Sequence, residues 1–169
     1  FAEERGPASV GAGLPAGLAA LMDEAGEFEA RLVQIDASVV IRELPEALAA
    51  QGVIFTSLEI AAQEHPELVQ KHLGTAITTD DGKFAAMNAA LWTGGTFLYV
   101  PKGVQVEAPF RVYRWISDGG TAAFGRTLVV AEQGSRFAVV ETMGSDDLSK
   151  PALSVGAAEI FADEGAVAI

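Results

Sequence analysis

Leu98-Tyr99-Val100-Pro101-Lys102-Gly103-Val104-Gln105-Val106 decides how this chain folds, because its pattern is written twice more. It returns as Val129-Val130-Ala131-Glu132-Gln133-Gly134-Ser135-Arg136-Phe137. It returns again as Ile160-Phe161-Ala162-Asp163-Glu164-Gly165-Ala166-Val167-Ala168. Each time an apolar strand reaches a polar pair, a glycine turns the chain, and another strand leaves. Gly103, Gly134 and Gly165 lie 31 residues apart. A fixed period in a glycine-punctuated β region is the mark of stacked, repeating strands. By pattern alone, a β-solenoid and a β-sandwich both accommodate it. In a solenoid each turn buries its inward side chains only against the next. The last turn therefore leaves an edge that must be capped or continued.

Upstream of the first copy the pattern changes from period 2 to period 3.6. Phe84, Met87, Asn88 and Leu91 fall at i, i+3, i+4 and i+7, which predicts a short helix with this stripe facing inward. Thr93-Gly94-Gly95 stops the helix, and Thr96-Phe97-Leu98-Tyr99-Val100 reads as a strand. Further back, residues 14–28 predict a helix with Leu18, Leu21 and Met22 on one face and Gly26 at its end. Leu32–Ile35 and Val39–Ile41 predict a hairpin joined by the three residues Asp36-Ala37-Ser38. Residues 44–51 read as a helix between Pro45 and Gly52. Thr56 and Glu59 fit a capping box opening a helix to about Glu64. Pro66 starts another, closed by Gly74. Residues 75–82 form a polar loop, and residues 1–13 read as a loose arm.

Two regions are therefore expected: a helical N-terminal region with a short hairpin over 1–95, and stacked strands over 96–169. The chain opens on Phe1 and closes within the apolar run Ala166-Val167-Ala168-Ile169, which reads as a piece of a longer protein.

The 169 residues suffice for one ordinary domain, and half of them are hydrophobic. The formal net charge of −12 argues against nucleic-acid and anionic-membrane partners, which need clustered lysine and arginine. There is no cysteine, so no disulfide framework, thiolate metal site or thiol nucleophile exists within the chain. No apolar run approaches 18 residues, and the opening residues do not read as a secretory leader. A cytoplasmic location is the expectation.

Few residues carry chemistry. His65 and His72 are seven apart with Pro66 between them, not at the i, i+4 spacing of a helical metal pair, and read as surface or capping residues. Asp80-Asp81 and Asp146-Asp147 read as turn carboxylates, although acidic pairs also serve sugar-cleaving solenoids. Asp80-Asp81-Gly82 lacks the spaced oxygens of a calcium loop. Trp92-Thr93-Gly94-Gly95-Thr96 precedes a strand, the wrong order for a phosphate cradle. Arg111, Arg114 and Arg126 are the main basic residues of the strand region. Strand alternation puts Arg111, Tyr113 and Trp115 on one side, and Val112, Arg114 and Ile116 on the other. A partner-facing surface and a solvated edge both fit. No catalytic, cofactor-binding or metal-ligating residue is assigned.

The segment Gly52-Val53-Ile54-Phe55-Thr56-Ser57-Leu58-Glu59, with Glu64-His65-Pro66-Glu67-Leu68-Val69, resembles the SufB/SufD family of iron–sulfur cluster assembly proteins. The block from Lys83 through Trp92-Thr93-Gly94-Gly95-Thr96 to Val104 is similar to that family's most recognisable run, and the likeness continues through Arg126–Val130 and Gly134. The resemblance implies a mainly β fold with an α/β N-terminal region. Its core would be a right-handed parallel β-helix, incomplete at the C-terminus. It implies a non-catalytic part in the cytoplasmic SUF machinery, with SufB- and SufC-type partners bound through C-terminal parts outside this chain. It implies an iron–sulfur cluster associated with the full complex and not with this segment. SufB-type sequences tend to carry a cysteine near Glu141-Thr142-Met143-Gly144. Methionine stands there instead, so the chain reads as SufD-like or as a divergent paralogue, and not as the sulfur-accepting scaffold. Two other readings stay open: a solenoid polysaccharide lyase or hydrolase, and a solenoid that self-associates end to end as a homo-oligomer.

Overall fold

The structure is a computed structural model and describes residues 13–169; most of the arm expected over 1–13 lies outside the described residues. In chain order the elements are α1 (Ala16–Glu24), β1 (Ala30–Ile35), β2 (Ser38–Glu43), α2 (Glu46–Ala50), β3 (Ile54–Ser57), α3 (Leu58–Glu64), α4 (Pro66–His72), a 3-10 turn (Thr79–Asp81) and α5 (Lys83–Leu91). There follow β4 (Gly95–Val100), β5 (Phe110–Ile116), β6 (Ala122–Ala123), β7 (Arg126–Ala131), β8 (Arg136–Phe137), β9 (Val139–Ser145), β10 (Leu153–Ser154), β11 (Ala157–Ala162) and β12 (Val167–Ala168).

The strands after residue 95 pair in parallel with their counterparts one repeat on. Gly95 is opposite Arg126, and Arg126 is opposite Ala157. Ala122 faces Leu153, and Arg136 faces Val167. Each of these offsets is the glycine period. The three turn glycines have φ of 73°, 69° and 70°, a region in which a side chain is strained. Gly103 N donates to Gln133 O, and Gly134 N donates to Glu164 O, so the corners bond one above another. We propose that these ladders are turns of the right-handed parallel β-helix that the family resemblance implies, and we call each repeat a rung.

One face departs from the period. Phe110 of β5 is opposite Val139 of β9, an offset of 29. The first rung spends two more residues reaching β5, at Glu107-Ala108-Pro109, and the second spends two more after β9. The glycine corners and β7/β11 are thus restored to register.

The N-terminal elements close one end of the stack. β1 pairs parallel with β5 and antiparallel with β2, giving the sheet order β2-β1-β5-β9. β3 pairs antiparallel with β4, giving β11-β7-β4-β3. Side chains pointing between the sheets form the main core, including Leu32, Phe55, Leu98, Val100, Phe110, Val112, Val129 and Phe137. Phe55, Phe110 and Phe137 contact in series, with ring centroids 5.2 and 6.0 Å apart. The outer faces are covered by helices. α3 and α4 bury Phe97, Leu128 and Val130, and α1 buries Tyr113 and Trp115. The Arg111-Tyr113-Trp115 side is thus an internal packing face at its two aromatic residues.

Four local expectations are corrected. The hairpin connection has two residues, Asp36 (φ 47°) and Ala37 (φ 69°), because two left-handed residues match the twist of paired strands. The cap of α3 is Ser57, whose Oγ accepts from Ile60 N at 3.2 Å; Thr56 stays in β3, and Glu59 turns away to accept from Gly94 N. In α5 only Asn88 of the predicted stripe is fully buried, while Phe84 and Leu91 are half exposed. His72 is buried: Nδ1 lies 2.9 Å from Leu68 O, and the ring packs on Phe161 at 4.8 Å.

At the turn corner Glu132 accepts from Lys102 N at 3.0 Å. Burial, a hydrogen bond to Glu132, and the charges of Glu132 and Asp163 push the nearby Tyr99 phenol up to about 12.

Candidate functional site

Parallel register stacks equivalent side chains, so one polar choice on a strand creates a polar layer. Gln34 of β1, Arg114 of β5 and Met143 of β9 are register partners. Thr96 of β4 and Thr127 of β7 are partners on the facing sheet. Arg114 Nη2 donates to Thr127 Oγ1 at 2.7 Å, and Thr127 Oγ1 donates to Glu141 Oε2 at 3.0 Å. Arg114 Nε stands 2.8 Å from Glu141 Oε1 as an ion pair without hydrogen-bond alignment. Gln34 Nε2 donates to Gly95 O at 2.7 Å. Burial lowers the pKa of Arg114, and the charges of Glu141 and Glu59 oppose that, so the guanidinium stays protonated at neutral pH.

This layer borders a cavity of about 260 Å³. Arg114, Trp115, Met143, Gln34, Asp36 and Thr93 are among its lining residues, together with Gly94, Gly125 and Gly144. A Cβ at Gly125 would collide with Arg114 Nη1, and one at Gly144 would collide with the Trp115 ring, so glycine makes room for both side chains. Asp36 is held by Ser117, whose backbone N–H and hydroxyl both donate to its carboxylate. The cavity offers a guanidinium, a carboxylate already held by Ser117, an amide, a thioether and hydroxyls. It contains no thiol and no imidazole. Among the described residues no group of three or more His, Cys, Asp or Glu is placed to hold a metal ion.

A second polar cluster lies on the outer face. Arg126 and Glu159 form a buried ion pair, with Nη2 to Oε2 at 2.7 Å and Nε to Oε2 at 3.1 Å. Glu159 also accepts from the backbone N–H groups of Gly74 (2.9 Å), Ala76 (2.9 Å) and Ile77 (3.1 Å). Burial pulls its carboxyl up. The Gly74 N–H, Arg126 and the Ile77 and Ala76 N–H groups outweigh that and hold it below the usual carboxylate range.

Of the carboxylates considered for sugar cleavage, Asp81 accepts from Thr78 N at 2.7 Å as a turn residue. Asp80 and Asp146 do not line the cavity. Arg126 is buried and paired, not part of a basic surface. Arg114, Glu141, Asn88 and Glu159 went unassigned in the sequence. A charged residue between apolar neighbours, as in Ala158-Glu159-Ile160, was the available signal.

The family described as SufBD protein N-terminal region matches residues 29–112. An iron–sulfur cluster assembly SufBD family protein of Mycobacterium tuberculosis is 42% identical over 108 residues, covering 64% of this chain and 13% of that protein. One from Synechocystis is 46% identical over 96 residues, covering 57% of this chain and 20% of that protein. The iron–sulfur cluster assembly protein SufB of Bacillus subtilis is 34% identical over 132 residues, covering 78% of this chain and 28% of that protein. The chain thus aligns with between about an eighth and just over a quarter of the length of these relatives.

Proposed function

This chain belongs to the SufBD family, and from that premise we propose that it serves in SUF-type iron–sulfur cluster assembly as a non-catalytic, SufD-like partner of SufB- and SufC-type proteins in the cytoplasm. The observation that carries the SufD-like role is Met143. It lines the cavity, on the face that Arg114 and Gln34 share, in the stretch where SufB-type sequences tend to carry a cysteine. A thioether cannot form a persulfide as a thiolate can, and the chain has no other sulfur nucleophile. No described helix is long and apolar enough to cross a membrane. In this reading the iron–sulfur cluster is cargo of the assembled complex.

The likeness to Bacillus subtilis SufB favours a second reading, a SufB paralogue without the thiol. Co-purification separates the two. The SufD-like role predicts a stable complex containing this protein and both the SufB- and SufC-type proteins of the same organism at micromolar concentration. A complex with the SufC-type protein alone, in which this protein replaces SufB, would favour the paralogue. No association with either would overturn both.

A further inference from the structure

We propose that residues 74–91 form a strap latched to the strands by polar contacts, and that it opens as a unit while the parallel ladders stay intact. No apolar side chain between residues 75 and 91 joins any of the three buried clusters; their neighbours Leu73 and Trp92 both do. The strap docks at two points. At one, the Glu159 carboxylate receives the N–H groups of Gly74, Ala76 and Ile77, and Arg126 Nη2 donates to Ile77 O at 3.1 Å. At the other, Asn88 Nδ2 donates to Gly125 O and Val155 O, both at 3.0 Å, and Asn88 Oδ1 accepts from Arg126 Nη1 at 3.3 Å. Arg126 bonds both docking points and Glu159 the first, and the two bond each other, so one ion pair serves as the latch.

The strap also has structure of its own. Thr78 N and Oγ1 both donate to Asp81 Oδ2, at 2.7 and 3.0 Å, which caps the 3-10 turn, and α5 follows directly. Local opening free energies are lowest where few apolar contacts hold a segment, and such units open together. Opening frees Gly125 O, whose residue lines the cavity.

Hydrogen exchange read by mass spectrometry on the whole chain tests this. In Glu159→Gln, and separately in Asn88→Ala, peptides covering 76–90 exchange at least tenfold faster than in the wild type. In Asn88→Ala, peptides covering 96–100 and 126–131 keep their rates; in Glu159→Gln, which also breaks the buried ion pair, they accelerate less than the strap does. Trypsin cleavage after Lys83 accelerates in parallel. Phe84→Ser, which removes a half-exposed strap side chain outside the latch, changes neither. If Glu159→Gln fails to fold, Asn88→Ala alone reads the same opening. Equal acceleration in the strap and the ladders would overturn the strap as an independent unit, and so would unchanged exchange in 76–90.

Discussion

Leu98, Val129 and Ile160 occupy the same place in three successive rungs, yet they are 0%, 2% and 59% exposed. Nothing in the residue types explains the difference. Leu98 lies between β3 and β7, and Val129 between β4 and β11, whereas Ile160 has a described strand on one side only. The same holds across the third rung, where Leu153, Val167 and Ile169 are exposed. The covered end is closed by local, antiparallel additions from the N-terminal region, β2 on β1 and β3 on β4. In a stacked fold, burial is thus a property of neighbours more than of sequence.

The first way to break this comparison is to attack the buried charge pair Arg126–Glu159, which ties the third rung to the N-terminal region. Arg126→Met leaves the buried Glu159 carboxylate without its counter-ion, and should cost about 3–5 kcal/mol in urea unfolding. A loss under 1 kcal/mol would mean that the third rung is not anchored through this pair.

The second is to delete equivalent side chains from the two ends. Leu98→Ala should cost about 2–5 kcal/mol, while Ile160→Ala should stay within about 0.5 kcal/mol. Equal losses would show that exposure in the third rung is not what separates them.

The third uses pH. Glu159 titrates in the folded state below its ordinary value of 4.5. Its contribution is complete above that value and is lost as pH falls through the folded-state pKa. The urea midpoint of the wild type should therefore drop between pH 5 and 3 more steeply than that of Glu159→Gln. Parallel profiles would remove Glu159 from the acid limb.

Within the covered rungs the smallest expected loss is at the corners. Gly134 has φ 69° and nothing within 4 Å of a built Cβ, so Gly134→Ala meets backbone strain without a clash and should cost about 1–2 kcal/mol. Gly103 has the same setting, and Gly103→Ala should match it.

The corner glycines were legible because only glycine adopts that backbone freely, and the strands because β-branched and aromatic residues alternate there. The helix positions were legible from Pro66, Gly52 and Gly74. What escaped was set by contacts distant in sequence. Asn88 lies 67 residues from Val155, and the Gly74 N–H 85 residues from Glu159. A polar residue in an apolar stripe could not reveal that it was itself the docking point. The Trp115 side could not be assigned because its cover, α1, is a separate stretch of chain. The cavity arises where Gly125 and Gly144 face large side chains across rungs, a pairing that needs the 29-residue offset to be known.

The register itself has a direct measurement, because the chain has no native cysteine. Gln105 and Arg136 are bridge partners on adjacent rungs, and Val167 is the partner of Arg136 one rung further. Adjacent strands lie about 5 Å apart, within disulfide reach; a second rung places the pair at about 10 Å, beyond it. Oxidising the full chain carrying Gln105→Cys and Arg136→Cys should give an intramolecular disulfide, and Gln105→Cys with Val167→Cys should give none. A disulfide in the second variant and not in the first would contradict the stacked register on which the account depends.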